Sequence, residues 1–165
     1  MADFQNSDRI LAQLDQVVAN EQDPYIKSQY TGFVAVCAVT AFETNVRNKL
    51  VEFCTKKHKV FGHYSESMFD KMNAKVKLQH LRDEYLSRFG TRYLNRFQRK
   101  LNAADDASIQ RLEGSVKSAY SNLLVWRHAF VHDGELPQNA TYEEARAAYE
   151  LSKQVIDVFF ESLTR

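Results

Sequence analysis

Arg127, His128 and His132 fall within six residues, Arg127-His128-Ala129-Phe130-Val131-His132, and their side chains are suited to chemistry on a phosphate. A guanidinium keeps its charge at every accessible pH and presents a planar fork of N–H donors that matches phosphate oxygens. An imidazole titrates at about 6.5 and moves protons near neutrality. One fixed cation and one or two imidazoles are a small constellation for phosphoryl transfer, which needs a base, an acid and a charge stabiliser around one phosphate. His58, His63 and His80 show no metal-ligand spacing with one another or with Cys37 or Cys54, so neither a metal nor a cofactor is assigned.

A helix must carry this constellation. At about 100° per residue, Val116, Tyr120, Leu123, Leu124, Phe130 and Val131 share one face, and Arg127 lies in the middle of it. Asp133-Gly134 supplies the residue with φ > 0 expected just past a helix end. A guanidinium in an apolar stripe needs a partner. Glu43 is the matching anomaly, the single carboxylate in the stripe Val36, Val39, Glu43, Val46, Leu50, Cys54. Two pairings are open for it: with Arg127 across the core, or with Arg47 four residues on as an ordinary surface pair. The plain alternative for the whole motif is a buried Arg–Glu structural pair flanked by two surface histidines.

The remaining elements read as helices. Ser7 is placed to cap a first helix reaching about Asn20, and Asp23-Pro24 to open a second that runs to about Lys57. The second is apolar almost all round, the pattern of a central helix. The stretch 56–67 contains Gly62 and lacks a sustained period, so it reads as a loop. Met68–Lys77, Leu78–Phe89 and Arg92–Ala103 are expected as shorter helices, Asp105-Asp106 as a break, and Ser108–His132 as a long helix weakened at Gly114. Thr141-Tyr142-Glu143-Glu144 is a capping box for the last helix.

Only 5 Gly and 2 Pro among 165 residues favour long helices over many turns, and 44% hydrophobic residues are enough for a core. The expected fold is therefore all-α: one domain over residues 1–165, an elongated bundle of five to seven helices in which Pro24–Lys57 and Ser108–His132 pack together. The net charge of +1 provides no global field for nucleic acid, so any contact with RNA must be local. Arg92, Arg96, Arg99 and Lys100, interleaved with Tyr93 and Phe97, are the candidate RNA-binding face; the solvated side of an amphipathic helix is the competing reading. Cys37 and Cys54, about 25 Å apart on one helix, are expected reduced. The first residues lack a signal-peptide pattern and no apolar run suits a membrane span, which predicts a soluble, cytoplasmic protein without membrane contact. Nucleophile elbows, Walker loops and dinucleotide fingerprints are absent.

The motif Arg127-His128-Ala129-Phe130-Val131-His132 resembles the signature of the HEPN superfamily: Arg, a polar residue, three further residues, then His. The long second helix with Ala41-Phe42-Glu43, the Val-His-Asp-Gly ending and the Thr-capped last helix extend the likeness over most of the chain, toward the RiboL-PSP-type branch. The resemblance implies a helical bundle that dimerises and acts as a metal-independent endoribonuclease in toxin–antitoxin, phage-defence or RNA-processing systems. It makes Arg127 and His132 the catalytic pair, His128 the polar residue between them, and Glu43, more loosely, the acidic residue of the preceding long helix. It also implies a cognate antitoxin or regulatory partner. Members that have lost the activity bind RNA, a nucleotide or a partner protein, and that silent binding module is the alternative expectation. A purely structural scaffold is a third.

Overall fold

The computed structural model describes residues 2–70, 72, 75–135 and 140–164. Among these residues there is no strand, and six α-helices carry the fold: α1 Gln5–Asn20, α2 Pro24–Lys57, α3 Lys59–Phe69, α4 Thr91–Gln110, α5 Val116–His128 and α6 Tyr142–Leu163. Two π-helical stretches, His80–Leu86 and Ala129–Asp133, complete it, the first running into a short 3₁₀ turn at Ser87–Phe89.

α2 is the axis. Its 34 residues span about 50 Å at 1.5 Å per residue, and α1, α3, α5 and α6 all pack against it. Asp23 caps it by accepting the Tyr25 N–H at 2.8 Å, with Pro24 at the position where a missing N–H costs nothing. Val34, Ala35, Ala38, Phe42, Val46 and Leu50 are fully buried along its length. The Phe42 ring stacks on Tyr120 of α5 at 5.0 Å and on Tyr149 of α6 at 6.3 Å, so one residue joins the three central helices.

α6 begins as the sequence predicts. Thr141 Oγ1 accepts the Glu144 N–H at 3.1 Å while the Glu144 carboxylate accepts the Thr141 N–H at 2.8 Å. α1 is tied to α6 by polar contacts: Ser7 Oγ lies 2.7 Å from Tyr149 Oη, and Arg146 holds Asp15 through Nε at 2.9 Å and Nη2 at 3.1 Å.

Several expectations change. Ser7 is not the cap of α1; the helix begins at Gln5, and Ser7 is a buried residue of its first turn. The expected loop 56–67 is largely helix α3, started by His58, whose Nδ1 accepts the Val60 N–H at 3.3 Å. Gly62 does not break α3, because it lets α3 close on α2: a Cβ there would lie 2.5 Å from Thr55 Oγ1. The expected helix Met68–Lys77 is not formed over its described part, since α3 ends at Phe69 and residues 72, 75 and 76 are not helical; residues 71, 73 and 74 lie outside the described set. Asp105-Asp106 does not end α4 either, which continues to Gln110. Asp105 instead turns inward and accepts from Ser115 Oγ at 2.8 Å and the Lys117 N–H at 3.1 Å. The break falls at Arg111–Ser115, where Leu112 and Gly114 take φ of 62° and 96°, so the expected helix Ser108–His132 is divided and its second part, α5, packs on α2.

Candidate active site

The sequence spacing of Arg127 and His132 poses a geometric problem. Five residues apart on an ordinary α-helix, two side chains point about 140° away from each other. α5 avoids this by widening at its end: residues Ala129–Asp133 wind as a π-helical turn, with the Gly134 N–H donating to the Ala129 carbonyl five residues back. A wider turn brings residues five apart over one another. Arg127 Nη1 lies 3.3 Å from His132 Nε2, and the rings of His128 and His132 are 4.8 Å apart, tilted by 45°. Gly134, with φ 66°, closes the turn in the left-handed conformation that glycine adopts without strain.

A guanidinium nitrogen can only donate, so the contact is a hydrogen bond in the tautomer whose Nε2 presents its lone pair to Arg127. Arg127 is half-buried, whereas His128 and His132 are exposed. The apolar face expected to run to Val131 ends sooner: Leu123 is fully buried, Phe130 is half-buried and Val131 is 47% exposed, because the π turn rotates the last residues off the α5 stripe.

The turn rests on α2. A Cβ added to Gly32 would meet the Phe130 ring at 2.2 Å, and Phe33 packs on the same ring with centroids 5.5 Å apart. Gly32 and Phe130 were not among the candidate residues. The available signal was a glycine inside a long apolar helix, which costs about 1 kcal/mol relative to alanine and needs a reason such as close packing.

Glu43 does not sit at this site. Phe42 stacks on Tyr120 and Gly32 touches Phe130, so α2 and α5 run antiparallel in a register that sets Arg127 level with residue 35 and Glu43 level with residue 119. Eight residues of offset is about 12 Å along the axis. Among the described residues no ion pair joins Glu43 to Arg127, and Glu43 is not without an interaction of its own. The half-buried Glu43 carboxylate makes itself felt at two phenols. Burial, and then the charge of Glu43, pushes the Tyr120 hydroxyl well above its ordinary value. Burial and the Glu84 charge, with a smaller part from Glu43, raise Tyr85 to about 12. Arg47, the alternative i,i+4 partner, donates to Asp70 at 3.1 Å.

The basic segment is also separate. Arg96 donates to the Ser162 carbonyl at 3.4 Å and to the Thr164 carbonyl, and Lys100 pairs with Glu161, so both hold the C-terminal end of α6, where the helix dipole favours cations. Arg92 and Arg99 are exposed. This segment packs near Phe53 through Tyr93 at 5.3 Å, while the Arg127 turn packs at Gly32 and Phe33. The two regions are thus about 30 Å apart along α2.

Among the described residues no three His, Cys, Asp or Glu side chains converge as a metal-holding group, and no helix is long and apolar enough to cross a membrane. Cys37 and Cys54 are free thiols. A cavity of about 550 Å³ adjoins Arg127 and His128, bounded by Val39 of α2, residues 77–79 and one side of α5.

The family model described as RiboL-PSP-HEPN matches residues 2–165. No curated protein and no solved structure matches the chain.

Proposed function

Because the chain belongs to the RiboL-PSP-HEPN family, we propose that it is a metal-independent endoribonuclease with Arg127 and His132 as its catalytic pair. The observation that carries this reading is the contact of Arg127 Nη1 with His132 Nε2 at 3.3 Å on an accessible helix end. With its lone pair toward the guanidinium, Nε2 is a base held beside a phosphate-binding group. When a phosphate binds, the guanidinium donors turn to its oxygens and Nε2 is released to the 2′-hydroxyl.

The 2′-oxygen then forms its bond to phosphorus as its proton passes to an imidazole. The bond from phosphorus to the 5′-oxygen breaks, and that oxygen takes up a proton. Charge on the five-coordinate phosphorus centre is stabilised by Arg127. His128, 4.8 Å from His132 ring to ring, is positioned to hold RNA or assist the proton movement.

Base and acid must stand on opposite sides of the phosphorus, and two copies of the turn around one groove provide both. The proposal therefore includes a symmetric homodimer with the Arg127–His132 regions facing each other. Apolar surface beside the turn supports it: Phe33, which packs on Phe130, is 53% exposed and Val131 47%. The setting is that of a toxin or antiphage-defence effector in the cytoplasm, as the family resemblance implies, with a cognate antitoxin or regulator as the further partner.

The test is incubation with total RNA in EDTA beside the His132→Ala variant. Fragments ending in 2′,3′-cyclic phosphate, produced by the wild type alone, are expected. RNA binding without cleavage would instead identify the silent binding module.

A further inference from the structure

The cavity beside Arg127 has no part in the proton transfers above, yet it opens at the same helix end. Its volume of about 550 Å³ falls within the roughly 300–1,000 Å³ of small-molecule pockets. Its walls are mixed. Val39, Leu78, Leu124 and Val125 supply apolar surface, Gln79 an amide that donates and accepts, Ser121 a hydroxyl that accepts while it donates to the Lys117 carbonyl at 2.9 Å, and Lys77 and Asp133 one charge of each sign. His128 forms part of the wall, and its ring lies 4.8 Å from that of His132, tilted by 45°.

We infer that this cavity receives one unpaired nucleobase next to the scissile phosphate and gives the enzyme its nucleotide preference at the cut. The inference rests on the endoribonuclease reading for its position and on the cavity lining for its chemistry. A phosphate held by Arg127 leaves its neighbouring nucleotide within reach of His128 and the cavity behind it. A flat, weakly polar base fits aliphatic walls with an imidazole to stack on, and single-stranded RNA is commonly read in that way. The Gln79 amide can donate to and accept from the edge of the base, the Ser121 hydroxyl can accept from it, and Lys77 can meet a flanking phosphate. A duplex cannot turn a base out without unpairing it, so the cavity selects single-stranded RNA.

The experiment uses full-length protein and two readouts. In the His132→Ala background, binding of a fluorescent, unstructured RNA is measured by anisotropy for Ser121→Trp, which fills the cavity from an exposed position on α5. Asn122→Trp, exposed on the same helix and outside the cavity lining, is the control. Ser121→Trp is expected to weaken binding about tenfold, the scale of losing one stacked base, and Asn122→Trp to leave it unchanged. In the wild-type background, sequencing of the cut ends from a randomised RNA should show a preference at a nucleotide flanking the cut, which Gln79→Ala flattens. Cleavage with no flanking preference, or equal binding by the two tryptophan variants, overturns the base cavity and leaves the nuclease standing. Binding that Ser121→Trp weakens, without cleavage by the wild type, overturns the nuclease and keeps the cavity. RNA neither bound nor cut overturns both.

Discussion

Gly32 of α2 and Phe130 of the π-helical turn share one van der Waals surface: a Cβ on Gly32 would stand 2.2 Å from Cδ2 of the Phe130 ring. No real pair of carbon atoms tolerates that distance, so the ring would have to leave its seat. Phe130 lies between His128 and His132 in the chain, and the π turn moves with it. Gly32→Ala is therefore expected to reduce RNA cleavage by an order of magnitude or more and to lower stability by about 1–3 kcal/mol, as overpacking does. Urea unfolding and cleavage rates measure the two effects. Adding Phe130→Ala should recover part of the stability by removing the clash, without restoring activity. Wild-type cleavage by Gly32→Ala would show that the seat does not position the turn.

Asp105 is expected to matter for folding alone. It is 7% exposed and ties the start of α5 to α4 through Ser115, the Lys117 N–H and an ion pair with Lys117 at 3.2 Å. Asp105→Ala leaves those donors without their acceptor, at a cost of about 2 kcal/mol, or roughly 5 °C in melting temperature for a domain of this size. The melting curve checks it. An unchanged Tm would mean that the elbow between α4 and α5 is set by Leu112 and Gly114 instead.

Asp15 predicts the acid side of the stability profile. The bidentate hydrogen bonds from Arg146 hold its carboxyl below the ordinary value of 3.8, against the opposing effect of burial and with help from Tyr142. A carboxylate with a lowered folded-state pKa contributes its full stabilisation above the unfolded value and loses it as pH falls through the folded one. The contribution should therefore be complete above about pH 4 and fade below it. Because the Asp15 side chain is 42% exposed, solvent screening limits the size to about 1 kcal/mol. Asp15→Asn should lower Tm at pH 7, and the gap from wild type should close in acid. A gap independent of pH would assign the loss to packing.

The sequence carried the two longest elements because each has local punctuation. Asp23-Pro24 starts α2, and Thr141 with Glu144 starts α6. It misled where tertiary contacts override local signals. Gly62 reads as a breaker but packs against Thr55, and Asp105 reads as part of a break but stays within α4 and turns in to Ser115 and Lys117. The site was legible as residue types. Its geometry was not, since an α-helical wheel cannot show that the chain rewinds at Ala129 and brings His132 back to Arg127. Glu43 shows the limit of stripe arguments: a carboxylate and a guanidinium on facing apolar stripes look paired, yet among the described residues Arg127 contacts His132 and no ion pair joins it to Glu43.

The last prediction separates the charge of Arg127 from its shape. Arg127→Ala and His132→Ala should each cost about 10² or more in cleavage rate, the usual range for removing an acid–base or charge-stabilising group. Arg127→Lys is the sharper variant. An ammonium keeps the positive charge, but it is a point donor on a flexible stem, and it cannot hold His132 Nε2 and then grip two phosphate oxygens in one plane. If the planar fork matters, Arg127→Lys should recover less than a tenth of the wild-type rate while binding RNA nearly as well, because long-range attraction needs only charge. If charge alone matters, the lysine variant should cleave close to wild type. The assay is run in EDTA with the fragment ends analysed. Cleavage that stops in EDTA, leaves 5′-phosphate ends or survives both alanine substitutions would overturn the mechanism whatever the lysine variant does.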